Sequence, residues 1–256
     1  MNEKQLSQII AAAEAGGQII REYFGANLAI EEKSIVSDIR TKADTESETA
    51  IIKSLQSNFP SFNILSEESG FIEGSSEYKF VIDPLDGSNN FVMGMPNFSV
   101  SIALLRGEEV VAGVIYVPMI DQIFSALKGY GAFQNSKRIM VNNETAPTRS
   151  TVSYTCGYIN DPKYTLLLAG KLSNLELKRT INFWSPAYDY CLLASGKIEA
   201  VINNNNEIYD FAAGKIILTE AGGKITAFDG SHSSDTDTQF VASNGTELHD
   251  VLIRVV

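Results

Sequence analysis

Residues 80–91 read Phe-Val-Ile-Asp-Pro-Leu-Asp-Gly-Ser-Asn-Asn-Phe, and this stretch limits what the chain can become. It begins as an apolar run of β-formers, which predicts a buried strand. The run meets two carboxylates, Asp83 and Asp86, on either side of Pro84-Leu85. Proline has no N–H for a sheet ladder, so the strand is expected to end there. Asp86-Gly87 then turns the chain, and Ser88-Asn89-Asn90 reads as the first turn of a helix. Two acids at one strand end repel each other unless a positive charge sits between them. Free backbone N–H groups at the helix start attract an anion. Together the two features predict a divalent metal beside a phosphate.

The 256 residues allow one large domain or two tightly joined halves. The polar stretch Asn142 to Ser150 is the expected join, giving halves 1–146 and 147–256 packed as one unit. A formal net charge of −11 argues against a broad basic nucleic-acid surface and calls for bound cations. Cys156 and Cys191 belong to no metal-type cluster. They are expected to be reduced and mostly buried, which fits a cytoplasmic location. The N-terminus lacks the apolar core of a signal peptide, and no apolar run has the length of a membrane span. His232 and His249 are the only histidines, both near the C-terminus, so histidine base chemistry and histidine-rich zinc sites are poor fits.

Along the chain, Leu6, Ile9, Ile10, Ala13, Gly17, Ile20 and Phe24 predict a helix over about 4–24. Glu31 to Asp44 is polar and expected to be a mobile loop or exposed hairpin. Thr45-Glu46-Ser47-Glu48 reads as a capping box opening a second helix, with Asp44 just before the cap. A strand from Ser61 to Leu65 should end in Ser66-Glu67-Glu68-Ser69-Gly70, with one glutamate turned inward and the other in solvent. Strands at Phe98–Ala103, Glu109–Tyr116, Gln122–Leu127 and Ile139–Val141 predict an antiparallel meander that holds the site rigid.

The second half alternates strands and helices. Thr151–Cys156, Lys178–Phe183 and Lys197–Ile202 are strand-like, and Asn160-Asp161-Pro162 opens a helix to about Leu175. Ser185-Pro186 opens another helix, with serine as cap and proline at the first position. Asn203 to Asn206 is expected to be a loop leading to a helix that begins at Asp210. Two strands and a helix over Thr246–Val255 close the chain.

Asp83-Pro84-Leu85-Asp86-Gly87-Ser88, preceded by Glu67-Glu68-Ser69 and followed by Tyr209-Asp210-Phe211-Ala212-Ala213-Gly214, resembles the inositol monophosphatase family. The likeness runs from about Lys33 to Gly223. Members are magnesium-dependent, lithium-sensitive phosphatases of small monoesters. The resemblance implies the layered α/β fold of the inositol monophosphatase and fructose-bisphosphatase type, a five-layer αβαβα sandwich, and a homodimer. Glu67, Asp83, Asp86 and Asp210, with the backbone carbonyl of Leu85, would hold two or three Mg²⁺ ions, a hard-oxygen set that suits this cation. Asp44, spaced from Thr41 as in the family, would orient an attacking water with Ser88, and Glu67 counts with them as catalytic. The phosphate would rest on the N–H groups of Gly87 and Ser88, and Asp86, Asn203 and Asp210 would complete the substrate contacts. Lys33 falls in the segment that closes over the site in the family, where the resemblance implies a loop contact that meets phosphate or organises the metals.

Some positions depart from the family pattern. Ser66 replaces glycine, Ser88 replaces threonine and so loses a β-branch, and Tyr209 replaces tryptophan. Asn203 replaces a glutamate that grips sugar hydroxyls, and Trp184 stands near a usual glycine, where it narrows the pocket. The expected reaction is hydrolysis of a small phosphorylated polyol or sugar, inositol 1-phosphate first, by a metal-activated water without a phosphoenzyme. Related enzymes take fructose 1,6-bisphosphate, histidinol phosphate or 3′-phosphoadenosine 5′-phosphate. Phe91 to Ser99 looks closest to the inositol branch, and Asn89-Asn90 argues against the adenosine and histidinol branches. A regulatory protein that binds transcription machinery is the non-enzyme alternative, against which the complete acid set argues.

Overall fold

The computed structural model describes residues 1–33, 38–158 and 161–256. Helix α1 (Glu3–Tyr23) buries Ile9, Ala13, Gly17 and Ile20 of the expected stripe, with Ala12 and Gly16 beside them. Strands β1 (Ile30–Glu32) and β2 (Ile39–Thr41) form an antiparallel hairpin; of the polar stretch Glu31–Asp44, residues 34–37 lie outside the described residues. Helix α2 (Lys42–Asn58) starts earlier than the sequence pattern indicated. Thr41, not Thr45, is its cap, and Asp44 is the reciprocal residue of the capping box. The Thr45–Glu48 tetrapeptide follows the Thr41–Asp44 box directly and lies inside the helix.

Strands β3 (Asn63–Ser66), β4 (Gly70–Ile72) and β5 (Tyr78–Asp86) come next, followed by the short helix α3 (Ser88–Val92). The meander follows as β6 (Ser99–Arg106), β7 (Glu109–Val117), β8 (Gln122–Leu127), β9 (Gly131–Gln134) and β10 (Lys137–Ile139). These strands form an eight-stranded sheet in the order β10-β9-β8-β7-β6-β5-β3-β4. It is antiparallel apart from the β3–β5 pair. Contrary to expectation, β5 does not stop at Pro84: its register with β6 slips between Asp83 and Asp86, and pairing resumes at Asp86. The bulge absorbs the missing proline N–H without ending the strand.

Residues 142–150 carry the chain to a second sheet. It is built from β11 (Thr151–Cys156), β12 (Arg179–Ile181), β13 (Ala200–Asn204), β14 (Lys224–Ala227) and β15 (Gln239–Ser243), in the order β12-β11-β13-β15-β14. Its helices are α4 (Pro162–Asn174), α5 (Pro186–Ala194), α6 (Ile208–Glu220) and α7 (Leu248–Ile253). Asp161 caps α4; Asn160, read with it from sequence, lies outside the described residues. Asn203 and Asn204 are the last residues of β13 and buried, so only the rest of the asparagine run is loop.

Five layers result. Helices α1 and α2 cover one face of the large sheet, and α5 and α6 lie between the two sheets. Helices α4 and α7 pack on the outer face of the small sheet through Leu168, Leu172, Leu248 and Leu252. The α6 helix is buried on every side from Phe211 to Leu218, as its central place requires, and Lys215 within that run places its Nζ on the Ser234 and Asp237 carbonyls. Gly214 permits the contact with α5, since a Cβ there would lie 2.5 Å from the Tyr190 ring. Among the described residues, no helix is long and apolar enough to cross a membrane.

Candidate active site

The site forms where β5, β3 and β13 end and α6 begins. The bulge in β5 turns both Asp83 and Asp86 inward, each 2% exposed. Asp83 Oδ1 accepts the Leu85 N–H at 2.9 Å. Asp86 Oδ2 accepts from the hydroxyls of Ser99 at 3.0 Å and Ser185 at 2.5 Å. Asp210 is the third residue of α6, and its Oδ2 accepts the Glu207 N–H at 2.9 Å. Carboxylate oxygens of Asp83, Asp86 and Asp210 all lie within 4.8 Å of one another. These residues line one cavity of about 500 Å³ together with Lys33, Glu67, Leu85, Gly87, Ser88 and Tyr209.

Gly87 joins β5 to α3 at φ 95, a conformation that L side chains rarely adopt. A Cβ there would sit 3.0 Å from the Asn97 carbonyl and 3.2 Å from the Ser185 side chain. Ser88 follows, and its Oγ lies 2.6 Å from Asp44 Oδ1 and 2.9 Å from the Leu85 carbonyl, with one hydrogen to give. Asp44 Oδ2 accepts from the Thr41 N–H at 2.8 Å and the Thr41 hydroxyl at 2.6 Å. Asp44 is fully buried and does not line the cavity, so it reaches the site through Ser88.

Glu67 sits on the turn after β3, where its N–H donates to the Ile82 carbonyl at 3.1 Å. Lys33 Nζ lies 2.7 Å from Glu67 and 2.6 Å from Glu68. Neither glutamate stays in solvent, as one had been expected to: the Glu68 side chain is 2% exposed, with Arg40 at 3.6 Å as a second partner. The hairpin of β1 and β2 brings two cations over this turn, so both acids can be withdrawn from water. Asn203 does not reach the cavity. It is fully buried, accepting from Tyr190 and Asn206 and donating to the Thr238 carbonyl at 2.7 Å. Position 203 belongs to the strand, and Asn205, Asn206 and Glu207 line the cavity instead.

The electrostatics show a site short of positive charge. Burial pushes the Asp83 carboxyl well above its usual range, and Glu67, Asp86 and Asp210 add to this. Asp210 is likewise raised, by burial and then by Asp86. Burial takes Asp86 up to about 7 despite the Ser185 and Ser99 hydrogen bonds, and takes Glu68 to about 7. Glu67 and Asp44 are raised by burial too. Burial works against the Lys33 charge, but Glu67 and Glu68 outweigh it and raise its pKa. Carboxylates held at this separation are a hard-oxygen donor set that fits Mg²⁺, and a divalent ion relieves the repulsion that otherwise holds protons on them.

Sequence reasoning did not find the role of Ser185. Its hydroxyl makes no helix-cap bond; it donates to Asp86 across 99 residues of chain. Ser99 was equally silent, because it acts through a contact with a neighbouring strand that no local pattern encodes; Glu207 acts locally, as the cap residue of α6 whose N–H holds Asp210.

The inositol monophosphatase family model matches residues 1–256. The chain belongs to the inositol monophosphatase family. Over 243 residues it is 33% identical to the fructose-1,6-bisphosphatase/inositol-1-monophosphatase of Thermotoga maritima, covering 94% of this chain and 91% of that one. It is also 33% identical over 259 residues to the Nus factor SuhB of Pasteurella multocida, covering 100% of this chain and 96% of that one. The crystal structure of extragenic suppressor protein suhB from Bartonella henselae superposes with a TM-score of 0.93 at 30% identity, covering 99% of this chain and 98% of that one. The layered α/β fold read from the motifs is therefore the fold of the family. Inositol monophosphatases are metal-dependent phosphatases of small phosphorylated substrates, generally with Mg²⁺.

Proposed function

We propose that this chain hydrolyses a small phosphate monoester with Mg²⁺, inositol 1-phosphate being the first candidate. The observation that carries the reading is the juxtaposition, in one cavity, of three carboxylates within 4.8 Å of one another and Ser88, whose Oγ lies 2.6 Å from the buried Asp44. Glu67, Asp83, Asp86, Asp210 and the Leu85 carbonyl would hold two or three ions. Bound there, Mg²⁺ supplies Lewis-acid chemistry: it neutralises the acids, polarises the phosphate and acidifies water.

The chain's own groups do the rest. Ser88 Oγ donates to Asp44 and so turns a lone pair toward the cavity, where it orients the attacking water. Asp44, held in place by both Thr41 donors, takes up the proton through Ser88. The N–H groups of Gly87 and Ser88 receive the phosphate, and Tyr209 walls the site. Ser99 and Ser185 fix the Asp86 carboxylate so that it needs no rearrangement when the ion binds. Lys33 secures Glu67 and links the hairpin to the site. Neither cysteine is needed as a nucleophile on phosphorus: Cys191 is buried, Cys156 lines the cavity but burial raises its thiol pKa, and neither histidine lines the cavity.

We further read residues 1–146 as the half that carries most of the acids and 147–256 as the half that supplies Asp210, the two working as one unit in a cytoplasmic, lithium-sensitive homodimer. Sedimentation at micromolar concentration checks the dimer. A role in transcription follows only from the likeness to Nus factor SuhB; the complete acid set supports the enzyme. The test is phosphate release from a panel of monoesters, with and without Mg²⁺ and with lithium. Release that needs Mg²⁺ supports the reading, and the best substrate fixes the branch. Release from none of the panel, with Mg²⁺ bound, would refute it.

A further inference from the structure

Three turns contribute the cavity wall beyond the carboxylate cluster. Tyr158 follows β11, Asn182 and Trp184 precede α5, and Asn205 and Glu207 join β13 to α6. Trp184 stands at φ 54, a strained conformation for a bulky residue. Its N–H is held by the Asn182 side chain at 3.0 Å, and 58% of the residue remains exposed beside the cavity. Glu207 is exposed in the same wall and lies outside the Asp83–Asp86–Asp210 cluster.

Charge decides what this wall accepts. Among the described residues that line the cavity, Lys33 is the one cation, and it is committed to Glu67, Glu68 and Asp38. Residues 34–37 and 159–160 contain no Lys, Arg or His. A second phosphate on the leaving group would therefore meet the Glu207 carboxylate with no free cation to offset the repulsion. A neutral polyol meets amides, an aromatic face and a carboxylate that accepts from its hydroxyls.

We propose that Glu207 is a specificity-determining residue that restricts this site to monoesters whose leaving group carries no second phosphate. The inference rests on the phosphatase reading above and separates this chain from a bisphosphatase. Glu207 touches the leaving group, not the reacting atoms, so its effect falls on the KM of the bisphosphate more than on kcat.

The experiment compares kcat/KM for inositol 1-phosphate and fructose 1,6-bisphosphate on the Mg²⁺-loaded wild type, Glu207→Gln, Glu207→Lys and Glu207→Asp. The wild type is expected to prefer the monoester by about tenfold or more, the scale of one uncompensated like-charge contact. Glu207→Gln should shift the ratio toward the bisphosphate by about tenfold, Glu207→Lys further, and Glu207→Asp should restore it. A ratio that moves by less than about twofold in both Gln and Lys variants overturns the inference. So does a weaker Mg²⁺ half-saturation in Glu207→Gln, which would assign the carboxylate to the metal. Equal hydrolysis of both esters by the wild type defeats this inference alone, whereas hydrolysis of neither defeats the phosphatase reading and the inference with it.

Discussion

Replacing Asp210 with asparagine should stabilise the metal-free protein while destroying its response to Mg²⁺. Asp210 lies within 4.8 Å of both Asp83 and Asp86, carboxylate oxygen to carboxylate oxygen. At an effective dielectric constant of about 20, one ionised pair at that separation costs about 3 kcal/mol. Raised carboxylates destabilise as pH climbs from their unfolded value toward their folded one. Asp86, ordinarily near 3.8 and here at about 7, thus costs about 4 kcal/mol at pH 8 and nothing at pH 3. Asp210 escapes part of the repulsion by keeping its proton, so neutralising it should gain about 2–4 kcal/mol at pH 8. Asparagine keeps an oxygen for the Glu207 N–H, so the α6 cap survives. In a chain of 256 residues this raises Tm by roughly 5–15 °C in chelator at pH 8, fading to nothing by pH 4. With Mg²⁺ at 100 times Kd the wild type gains about 2.7 kcal/mol, and the variant should gain none. Calorimetric melting across pH, with chelator and with Mg²⁺, reads all of this. A metal-free variant no more stable than wild type at pH 8, or a gain that persists unchanged to pH 4, would refute the electrostatic account.

Ser88→Ala should lower kcat about 10²–10⁴-fold while the Mg²⁺-induced rise in Tm persists, because the hydroxyl acts on the proton and not on the ion; Ser88→Thr should stay within a few-fold. Gly87→Ala should cost about 2 kcal/mol or more and weaken Mg²⁺ binding, since φ is 95 and the added methyl meets the Asn97 carbonyl at 3.0 Å; denaturant unfolding and Mg²⁺ titration check it. His249 lies buried between Thr226 and Ser243, and burial lowers its pKa to about 4. A base depressed in the folded state loses stability as pH falls from about 6.5 to about 4, so the metal-free wild type should lose about 3 kcal/mol relative to His249→Gln over that window, read as the difference between two unfolding curves.

The strands and the site acids were legible for different reasons. Gln122–Leu127 and Thr151–Cys156 fall where period and turn signals placed them, because local sequence alone decides a strand bounded by turns. Asp86 and Asp210 were legible because each sits at an element boundary, and Asp83 because it stands beside a proline, places where a carboxylate has a local excuse that three of them in company exceed. Pro84 misled because the lost ladder bond is absorbed by a bulge, which depends on the partner strand β6. Asn203 misled because its side chain is claimed by Tyr190 and Thr238, both distant in sequence. Ser185 was read as a helix cap because its tertiary partner, Asp86, is invisible from its neighbours. Local propensity places elements; which side chain an element's end presents to the cavity is settled by packing.

The most direct test of the central claim is a Mg²⁺ titration of phosphate release from inositol 1-phosphate by wild type and Asp83→Asn, with ion binding followed in parallel by calorimetry. The account predicts no release in chelator, saturable activation of the wild type by Mg²⁺, and loss of at least about 10³-fold in Asp83→Asn together with weakened binding. Release in chelator at the Mg²⁺-saturated rate, or an Asp83→Asn enzyme as active as wild type, would contradict it.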